Sequence, residues 1–548
     1  MTRTRFNALY ARYRKSGDPK AEAALRPYRV DNAVIMAAGL SSRFAPLSYE
    51  KPKGLLKVKG EILIERQIRQ LQAAGITDIT VVVGCMKQQF FYLEEKFGVR
   101  IVVNDDYYRY NNSSTLLRVA DRLANTYICY SDHYFTENVF ESHVYDSYYS
   151  AVRIPGFAAE ERGIRTDRTG RITGIEHGPT NGWCMMGQVY FSREFSRKFA
   201  ALLRTQFADP DVRASRWEYL YEKNLKTLRM YVRKYPAGVI RELDALEELR
   251  NFDACYLDNA GSRIFRNICG VLKCREHEIG GIVVIKQGLT NLSFKFDCRG
   301  KSYIYRHPGE GTEDFISRRS EAFSLGVAKR LGLDPTLIHM DLKTGWRISH
   351  FVENARNLDY HDRKNVVRAM KRLRKLHTSG AKSPYAFDFL RETRKLVRKI
   401  PASHKDFEDF RTLSRTMSAL ERLVRRDRRP AVLCHCDCFP PNYLIGATGR
   451  MVLIDWEYSG MSDPGVDLGA FICNSDYTYE ESVDVLRAYY GRRMTESELR
   501  YDFAMIALTA WYWIVWAIYQ ESRGKSVGDY AIALYRHAKL FSSKGLGK

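Results

Sequence analysis

Three polar residues in the second half of the chain have types and a spacing that are suited to chemistry. Asp437 and Asn442 are five residues apart in the stretch CHCDCFPPNYLIG, and Asp455 follows thirteen residues later, at the end of the apolar run MVLID. Protein kinases use an aspartate and an asparagine at this spacing in their catalytic loop, and a later aspartate as a Mg²⁺ ligand. The pattern therefore predicts a kinase-type site that uses Mg²⁺.

The cysteines in the same stretch raise a second interpretation, which is a zinc site. Residue types that bind zinc surround Asp437, namely Cys434, His435, Cys436 and Cys438. Structural zinc sites usually draw a second ligand pair from roughly 12 or more residues away. The nearest later cysteine is Cys473, and no CxxC or HxxxH pair accompanies it. We interpret the cysteines as packing residues, because free thiols are mostly buried.

Two charged residues upstream fit the same kinase interpretation. Arg306 ends an apolar run, and Glu321 lies 15 residues further on in a helical pattern. A pair of this kind orients a cation onto the nucleotide phosphates in kinases. The glycine turn Gly288–Asn291 lies between two predicted strands, where a loop can cover phosphates. We therefore predict that Asn291, Arg306 and Glu321 belong to the nucleotide site.

The first half of the chain carries a different set of phosphate-binding features. Ala38–Arg43 is a loop of small residues after an apolar run, and its backbone N–H groups can face phosphate oxygens. Lys53 follows Pro52, a rigid turn that can hold an ammonium group in place. Asp132 closes the apolar run YICY, where a carboxylate is well placed for Mg²⁺. Together these features predict a nucleotide site with Mg²⁺.

The elements that must position these residues differ between the two halves. In the first half, short apolar runs alternate with helical patterns; the predicted strands are 32–37, 79–83, 99–103 and 127–130, and the predicted helices are 62–74, 88–97 and 114–124. This alternation predicts a Rossmann-like α/β domain with a mixed, mostly parallel sheet, which binds ligands at the carboxyl ends of its strands. In the second half, GGIVVIKQGLTNLSFKFDCRGKSYIYRH predicts antiparallel strands and an α+β, protein-kinase-like domain.

Composition limits the class of protein. A chain of 548 residues with 45% hydrophobic residues can form two or three globular domains. Eleven cysteines are too few for a disulfide scaffold, and Met1–Arg29 lacks the apolar core of a signal peptide, so we expect a cytoplasmic protein. Phe503–Tyr519 has no charge over 17 residues, the short end of the range for a membrane span. We expect a buried core helix there and no transmembrane segment.

The formal net charge of +23 leaves a non-enzymatic alternative open. Such a balance is found in basic scaffolds that bind nucleic acid or anionic membranes. The Lys and Arg residues are, however, spread along the whole chain, without a zinc finger or an aromatic RNA-binding signature. We expect polyphosphate substrates and no nucleic-acid partner.

Residues 31–252 resemble a known family. MAAGLSSRFAPLS and EKPKGLLKVKG are similar to the signature of nucleotidyltransferases, and VVVGCMKQQFFYLEEKFGVRIVVND and YNNSSTLL resemble the bacterial CTP:phosphocholine cytidylyltransferases. The resemblance implies phosphate contacts from Ala38, Gly39, Arg43 and Lys53, a substrate contact from Asn112, and Mg²⁺ ligands Asp132 and Glu218. Two positions depart from the family: Glu218, after Trp217, replaces the usual Asp, and Ser41 replaces a Gly. Residues 151–187 match poorly.

Residues 263–535 resemble choline kinases and the related aminoglycoside phosphotransferases. The resemblance rests on QGLTNLSFKF, HCDCFPPNYLI and LIDWEYSGMSDPGVDLGAF. It implies that Asp437 accepts the proton of the choline hydroxyl, that Asn442 and Asp455 hold Mg²⁺, and that Arg306 contacts the ATP phosphates.

The same resemblance implies an aromatic cage for the choline cation. The family has two tryptophans three residues apart in a late helix, and Trp513 and Trp516 have that spacing, which places them on one helix face. A quaternary ammonium has no hydrogen to donate, so aromatic faces are its natural partners. Glu457 and Asp467 are the acidic residues that we expect near the cage. A buried aromatic stripe is the alternative interpretation of the two tryptophans.

These interpretations predict a bifunctional enzyme with a basic extension at 1–30, a cytidylyltransferase domain at 31–252 and a choline-kinase-like domain at 253–548. Choline and ATP would give phosphocholine through Asp437, and phosphocholine and CTP would give CDP-choline through Lys53 and Arg43, with Mg²⁺ at both sites. Choline and phosphocholine would be its small-molecule partners. The open alternatives are the same two steps on ethanolamine, and a sugar-1-phosphate nucleotidyltransferase joined to a small-molecule kinase.

Overall fold

The computed structural model describes residues 1–153, 162–178, 182–287, 291–309, 316–405, 408–523, 527–528 and 530–547. The chain divides into two compact units, Met1–Ile279 and Gly280–Lys548. The division follows residue 279, whereas the sequence placed the second domain from residue 253. Which border applies to the two activities stays a prediction.

The first unit is built around a sheet. Its strands are β1 (Asn32–Ala37), β2 (Lys57–Val58), β3 (Glu61–Ile62), β4 (Ile79–Val83), β5 (Arg100–Val103), β6 (Thr126–Tyr130), β7 (His133–Phe135), β8 (Tyr148–Arg153), β9 (Arg162–Thr166), β10 (Ile172–His177), β11 (Trp183–Phe191), β12 (Tyr231–Tyr235) and β13 (Ile240–Glu242). The main path of the sheet runs β10-β9-β11-β6-β1-β4-β5, and β8 joins β11 to β12. Strands β6, β1, β4 and β5 are parallel, while β11 pairs antiparallel with β6. The predicted α/β fold class is confirmed.

Both faces of β1 and β4 are buried, which explains why their sequences are almost continuously apolar. Along β1, Ala33 and Ile35 pack into the core on one face, and Val34 and Met36 pack into the core on the other. Strands β1, β4 and β6 are parallel, so their carboxyl ends lie at one edge of the sheet. The loops that follow them carry the predicted phosphate-binding residues.

The helices of this unit are α1 (Arg3–Ser16), α2 (Pro19–Leu25), α3 (Leu63–Ala73), α4 (Tyr92–Phe97), α5 (Asn112–Leu117), α6 (Arg193–Gln206), α7 (Pro210–Ala214), α8 (Trp217–Lys223), α9 (Leu246–Phe252), α10 (Cys255–Asp258) and α11 (Arg263–Leu272). The predicted helix at 114–124 is two short pieces, α5 and the 3₁₀ turn Ala120–Arg122. The loop after β1 leads into the 3₁₀ turn Ser42–Phe44, with Ser41 left-handed at φ 52°.

The basic N-terminal extension folds as α1 and α2 within the first unit. Phe6 of α1 is buried and its ring lies 5.2 Å from the ring of Tyr28 and 5.4 Å from that of Tyr145. Ala21 and Leu25 of α2 are fully buried. An apolar face therefore holds this basic segment against the domain.

The second unit combines a sheet with a helical part. Its strands are β14 (Ile279–Gln287), β15 (Asn291–Cys298), β16 (Lys301–Pro308), β17 (Leu337–Met340), β18 (Arg347–His350), β19 (Arg356–Asn357), β20 (Val432–Cys434), β21 (Tyr443–Ile445), β22 (Met451–Leu453) and β23 (Gly460–Ser462). Within the described ranges, the sheet order β14-β15-β16-β18-β17 confirms the predicted strands, and the β15–β16 and β16–β18 pairs are antiparallel. The predicted phosphate-covering turn, Gly288–Asn291, lies outside the described residues except for Asn291.

The helices of the second unit are α12 (Arg318–Arg330), α13 (Arg363–His377), α14 (Phe389–Lys399), α15 (Glu408–Arg426), α16 (Gly465–Cys473), α17 (Tyr479–Tyr490), α18 (Glu496–Ser522) and α19 (Tyr530–Gly545). Among the described residues, α18 is the single helix long and apolar enough to cross a membrane, and 89% of its most apolar 18-residue window is buried. The prediction of a buried core helix is confirmed.

Candidate active sites

An open cleft of about 660 Å³ lies at the carboxyl edge of the parallel strands in the first unit. The loops after β1 and β6 line it, together with residues 52–54 and 107–112 and the side chains of Arg216, Glu242 and Asp244. The predicted residues Ala38, Gly39, Arg43, Lys53, Asn112 and Asp132 all line this cleft. The structure therefore brings the predicted nucleotide site together.

Lys53 is the buried cation of the cleft. Its Nζ lies 3.1 Å from Oδ2 of Asp132 and 2.8 Å from Oδ1 of Asp244, and 5.0 Å from the centre of the Phe44 ring. Burial alone would lower the pKa of Lys53, but the charges of the two aspartates outweigh it and raise the pKa. Lys53 is therefore a fixed positive charge at the edge of the sheet.

Glycine at position 54 allows Lys53 to approach the end of β6. A Cβ on Gly54 would lie 2.8 Å from Cβ and 2.9 Å from Oγ of Ser131. Because Ser131 precedes Asp132, this close approach sets the distance between Lys53 and the carboxylate. The glycine in EKPKG is therefore needed because a side chain at position 54 would collide with Ser131.

Three carboxylates meet beside Lys53 and offer a metal site. Asp132, Glu242 and Asp244 each place an oxygen within 4.8 Å of the others. Oδ1 of Asp132 is buried and has no hydrogen-bond partner among the described residues. Burial would raise the pKa of Asp132, but Lys53 and His133 lower it overall, so the group is charged. A set of carboxylate oxygens with one buried, unpaired atom fits a hard divalent cation.

Glu218 is not among these carboxylates. It is buried, and its Oε1 accepts hydrogen bonds from the hydroxyls of Tyr130 and Tyr149, the latter at 2.9 Å. Arg162 lies 3.8 Å from its other oxygen. The Tyr149 ring stacks on Trp217 at 5.9 Å. The expectation that Glu218 is a metal ligand does not agree with this placement, because aromatic side chains occupy its surroundings and Glu242 and Asp244 stand next to Asp132.

The second unit contains a buried ion-pair network. Arg306 on β16 pairs with Glu321 on α12, and its guanidinium also lies 3.3 Å from Asp455. Arg347, which the sequence did not single out, lies 2.9 Å from Glu321. Burial alone would lower the pKa of Arg306, but Glu321 and Glu457 raise it. The predicted contact between Arg306 and Glu321 is present, and it fixes a cation beside Asp455.

Asp437 and Asn442 face each other across the loop after β20. The Asn442 amide donates to the backbone oxygen of Asp437 at 2.9 Å and to its Oδ2 at 3.1 Å. Burial, with the charges of Asp455 and Glu457, raises the pKa of Asp437 to about 8. The structure thus groups Asp437, Asn442 and Asp455 as the spacing predicted, and Asp437 keeps its own proton up to about pH 8.

Glu457 links this loop to the sheet. The amide of Asn291, at the start of β15, donates to Oε2 of Glu457 at 2.7 Å, and Arg306 lies 3.5 Å from the same oxygen. Burial and the charge of Asp455 raise the pKa of Glu457 to about 7. Two strands and the segment after β22 therefore meet at one carboxylate.

Asp467 lies under the catalytic loop. Its Oδ2 accepts from the backbone N–H of His435 at 2.8 Å and contacts His377 Nε2 at 2.9 Å, while its Oδ1 accepts from the N–H of Cys436 at 2.6 Å. It is fully buried. The expectation that Asp467 lines the substrate cage needs correction, because both oxygens are engaged in holding the loop backbone.

The three cysteines of the loop are buried thiols. Burial raises the pKa of Cys434, Cys436 and Cys438, so each keeps its proton. Among the described residues, Cys434 lies close enough to His377 and Asp467 for the three to form a possible metal-binding group. Both ring nitrogens of that histidine are already hydrogen-bonded, to Asp467 and to the hydroxyl of Tyr489. These contacts link the histidine to α17 and to Asp467.

Trp513 and Trp516 lie on α18 with their ring centres 5.8 Å apart. The ring of Tyr458, which follows Glu457, lies 5.9 Å from Trp513, and that of Tyr512 lies 5.0 Å away. Nε1 of Trp513 has no hydrogen-bond partner within the described ranges. Trp513, Trp516, Tyr458 and Tyr512 therefore form one aromatic group, and Tyr458 directly follows Glu457 in the sequence.

The two units are similar to different known proteins. The profile of the MobA-like NTP transferase domain matches residues 33–165. Choline-phosphate cytidylyltransferase of Streptococcus pneumoniae (strain ATCC BAA-255 / R6) is 32% identical over 221 residues, which are 40% of this chain and 96% of that protein. The chain belongs to the choline-phosphate cytidylyltransferase family. The 2-aminoethylphosphonate cytidylyltransferase of Lancefieldella rimae is 33% identical over 230 residues, 41% of this chain and 93% of that protein.

The rest of this cytidylyltransferase-family chain matches a kinase. The choline/ethanolamine kinase profile matches residues 282–511. The crystal structure of choline kinase LicA from Streptococcus pneumoniae is 26% identical, covers 51% of this chain and 97% of its own, and has a TM-score of 0.45. The two profile matches and the cytidylyltransferase relative show that the chain joins a cytidylyltransferase region to a choline/ethanolamine kinase region, as the sequence predicted.

In the cytidylyltransferase cleft, the sequence analysis missed Glu242, Asp244 and Arg216. Asp244 is 191 residues from Lys53 along the chain, yet it pairs with Lys53 and, at 2.9 Å, with Arg43. The available signal was the apolar residue Ile240 followed by acidic residues in IRELD, which resembles the pattern that singled out Asp132. Asn112 was found, but its side-chain oxygen accepts from the backbone N–H of Trp217 at 2.8 Å and so also holds α8.

Proposed function

We propose that this cytidylyltransferase–kinase fusion makes CDP-choline in two successive steps. The kinase unit transfers the terminal phosphoryl group of ATP to choline, and the cytidylyltransferase unit joins the resulting phosphocholine to CMP from CTP. The observation that carries the proposal is the fusion itself, because the product expected of a choline kinase is the substrate that names the cytidylyltransferase family. Each unit alone leaves the alcohol open, and the two together agree on choline.

In the kinase step, the hydroxyl oxygen of choline attacks the terminal phosphorus of ATP, Asp437 accepts the hydroxyl proton, and ADP leaves. With a pKa of about 8, Asp437 has to lose its own proton before it can act as the base, and the positive charges of Arg306 and of bound Mg²⁺ would favour that ionised form. Arg306, held by Glu321, places a fixed positive charge beside Asp455 and toward the nucleotide phosphates. Asn442 and Asp455 would hold Mg²⁺, which supplies charge neutralisation on the phosphates.

In the cytidylyl transfer, a phosphate oxygen of phosphocholine attacks the α-phosphorus of CTP and pyrophosphate leaves. The attacking oxygen is already an anion, so the step needs no general base, and positioning and charge neutralisation do the work. Lys53 and Arg43 neutralise the triphosphate, and the backbone of Ala38–Arg43 donates to its oxygens. Asp132 and Asp244, with Glu242 beside them, would hold Mg²⁺ for the same purpose.

Each unit has a carboxylate associated with aromatic side chains, Glu457 in the kinase unit and Glu218 in the first unit, and both support a quaternary ammonium substrate. Trp513, Trp516 and Tyr458 offer aromatic faces in the kinase unit. In the first unit, Glu218 lies among Tyr130, Tyr149 and Trp217; its buried Oε2 has no hydrogen-bond partner among the described residues, and Arg162 lies 3.8 Å from it. Aromatic faces and a carboxylate suit a cation that has no N–H groups. We propose that Glu218 faces the cationic end of phosphocholine.

The proposal assigns residues 31–252 to cytidylyl transfer and 253–548 to the kinase. It also places both steps in the cytoplasm, where ATP, CTP and Mg²⁺ are available. Choline and phosphocholine are its partners, and nucleic acid is not one.

The decisive experiment supplies the full chain with ATP, CTP and Mg²⁺ and a panel of alcohols, and identifies products by mass. Choline should give phosphocholine and then CDP-choline. A preference for ethanolamine, for a sugar, or for added 2-aminoethylphosphonate without any kinase step would replace the choline assignment with that substrate. A protein without turnover that binds polyanions in a steeply salt-dependent way would be the basic scaffold instead.

A further inference from the structure

The segment that follows the cytidylyltransferase core returns to the loop that carries Lys53. We call residues 253–279 the connector and residues 50–59 the Lys53 loop. The connector contains α10, α11 and the 3₁₀ turn Glu276–Glu278, and it belongs to the first compact unit. Relatives of this unit match over 221 to 230 residues, and the first unit of this chain is 279 residues long.

One end of the Lys53 loop is held at Glu50. The hydroxyl of Ser262 donates to Glu50 Oε2 at 2.5 Å, and the backbone N–H of Arg263 donates to Oε1 at 3.0 Å. Ser262 is buried, and it also caps α11 by accepting from the N–H of Phe265 at 3.2 Å. Glu50 thus sits against the start of α11, three residues before Lys53.

The other end of the Lys53 loop is held at Lys57 and Lys59. The hydroxyl of Tyr256 donates to the backbone oxygen of Lys57 at 3.0 Å. Asp253 accepts from the backbone N–H of Lys59 at 2.6 Å. Burial would raise the pKa of Asp253, but this N–H and that of Cys255 lower it, so the contact is made by a charged carboxylate. The connector thus touches the chain on both sides of Lys53.

Arg250 makes the connector stiff enough to hold the loop. Its guanidinium donates to the backbone oxygen of Ile279 at 2.6 Å, to that of Glu276 at 2.9 Å and to that of Tyr256 at 3.3 Å. Three points of the connector are therefore tied to one side chain at the end of the cytidylyltransferase core. Ile264, Phe265 and Ile268 on α11 are buried, which adds an apolar anchor.

We propose that the connector is a clamp that positions Lys53 for the CTP phosphates, with Ser262 and Tyr256 as positioning residues of the cytidylyl transfer. The proposal rests on the proposed function for the identity of the reaction. It follows that the cytidylyltransferase of this chain depends on residues beyond the end of its own core, in the segment that leads into the kinase.

The test compares two double variants of the full chain. Ser262→Ala/Tyr256→Phe removes one hydroxyl contact at each end of the Lys53 loop. Ser196→Ala/Tyr92→Phe removes two matched hydroxyl contacts of the same unit, at 2.6 Å and 2.9 Å, away from the loop. The clamp variant should lose roughly 5- to 30-fold in kcat/KM for CTP, the size expected for two ordinary hydrogen bonds. Its KM for phosphocholine and its kinase activity should stay at the control values.

Two further measurements keep the outcome clear. Hydrogen exchange at residues 50–59 should be faster in the clamp variant than in the control variant, and Ser262→Thr, which keeps a hydroxyl, should keep the wild-type kinetics. Equal CTP kinetics and equal exchange in both double variants would overturn the clamp. A wild-type protein without cytidylyl transfer would overturn the proposed function, and the exchange rates would still decide whether the clamp exists.

Discussion

At the scale of single residues, both sites rest on charges that are partly or fully removed from water. Lys53 is stabilised in its charged form by two aspartates, whereas Asp437 lies beside Asp455 and Glu457, and the Asn442 amide donates a hydrogen bond to its carboxylate. The first arrangement favours the charged form and the second opposes it. One site therefore holds a permanent cation, and the other holds a carboxyl group that keeps its proton up to about pH 8.

The raised pKa of Asp437 predicts that this residue costs stability when it is ionised. Its pKa is about 8 in the folded protein and 3.8 as a model carboxyl, so the folded state holds the proton more tightly between these values. The loss of stability should therefore grow as the pH rises from about 4 to about 8 and stay constant above that. In EDTA, Asp437→Asn should raise the midpoint of thermal unfolding at pH 8 more than at pH 5. A constant or narrowing difference would contradict the shift.

A second prediction distinguishes the carboxylates of the first unit. Asp244→Asn should raise the Mg²⁺ concentration for half-maximal cytidylyl transfer by about tenfold or more, because it removes a charged ligand. Glu218→Gln should leave that concentration unchanged and raise the KM for phosphocholine. Both are read from initial rates at varied Mg²⁺ and varied phosphocholine. If Glu218→Gln shifts the Mg²⁺ requirement instead, the metal role expected from the sequence is right.

At the scale of helices and strands, the periodic signals in the sequence were sufficient for most elements. The strands at 32–37 and 79–83 have the predicted bounds, because both faces are buried and their apolar runs end where burial ends. The predicted helix at 114–124 failed in part, since α5 ends at Leu117 and a 3₁₀ turn replaces its second half. Short helices depend on tertiary packing more than on periodicity, which limits prediction from sequence.

Site residues divide in the same way. Asp437, Asn442 and Asp455 lie within one local motif, so their spacing was informative. Asp467 could not be placed from sequence, because its role depends on the backbone N–H groups that it meets after folding. Glu242 and Asp244 were missed because no local motif links them to Lys53. Contacts between distant segments are what the sequence alone did not predict.

Helix α18 contains Trp513 and Trp516, the residues of the proposed choline cage. Trp513→Leu removes an aromatic face while keeping an apolar side chain, and a desolvated cation–π contact contributes about 2 kcal/mol. We expect kcat/KM for choline to fall by roughly 10- to 100-fold, since about 1.4 kcal/mol is tenfold. Trp511→Leu is the matched control. Trp511 lies on the same helix as Trp513, but its ring packs against that of Phe410 on α15, with the ring centres 5.1 Å apart. Equal effects of both changes would favour the buried aromatic stripe.

At the scale of the whole molecule, the chain joins two compact units, and we propose a separate active site in each. We predict that Asp437→Asn abolishes phosphorylation of choline and leaves conversion of added phosphocholine to CDP-choline near normal. Asp132→Asn should do the reverse. The measurement is the product mixture from choline and, separately, from phosphocholine. Loss of both activities from one folded variant would mean that the two sites are not independent.

The distribution of cysteines over the whole chain has a practical consequence. Of the eleven, all within the described part of the chain, Cys255 alone is exposed, while those of the catalytic loop are buried with raised pKa values. Alkylating reagents attack accessible thiolates, so a maleimide dye should label Cys255 first in the native protein, without prior removal of other cysteines. Because Cys255 lies next to Tyr256 in the connector, the anisotropy of such a dye offers an optical reporter of CTP binding.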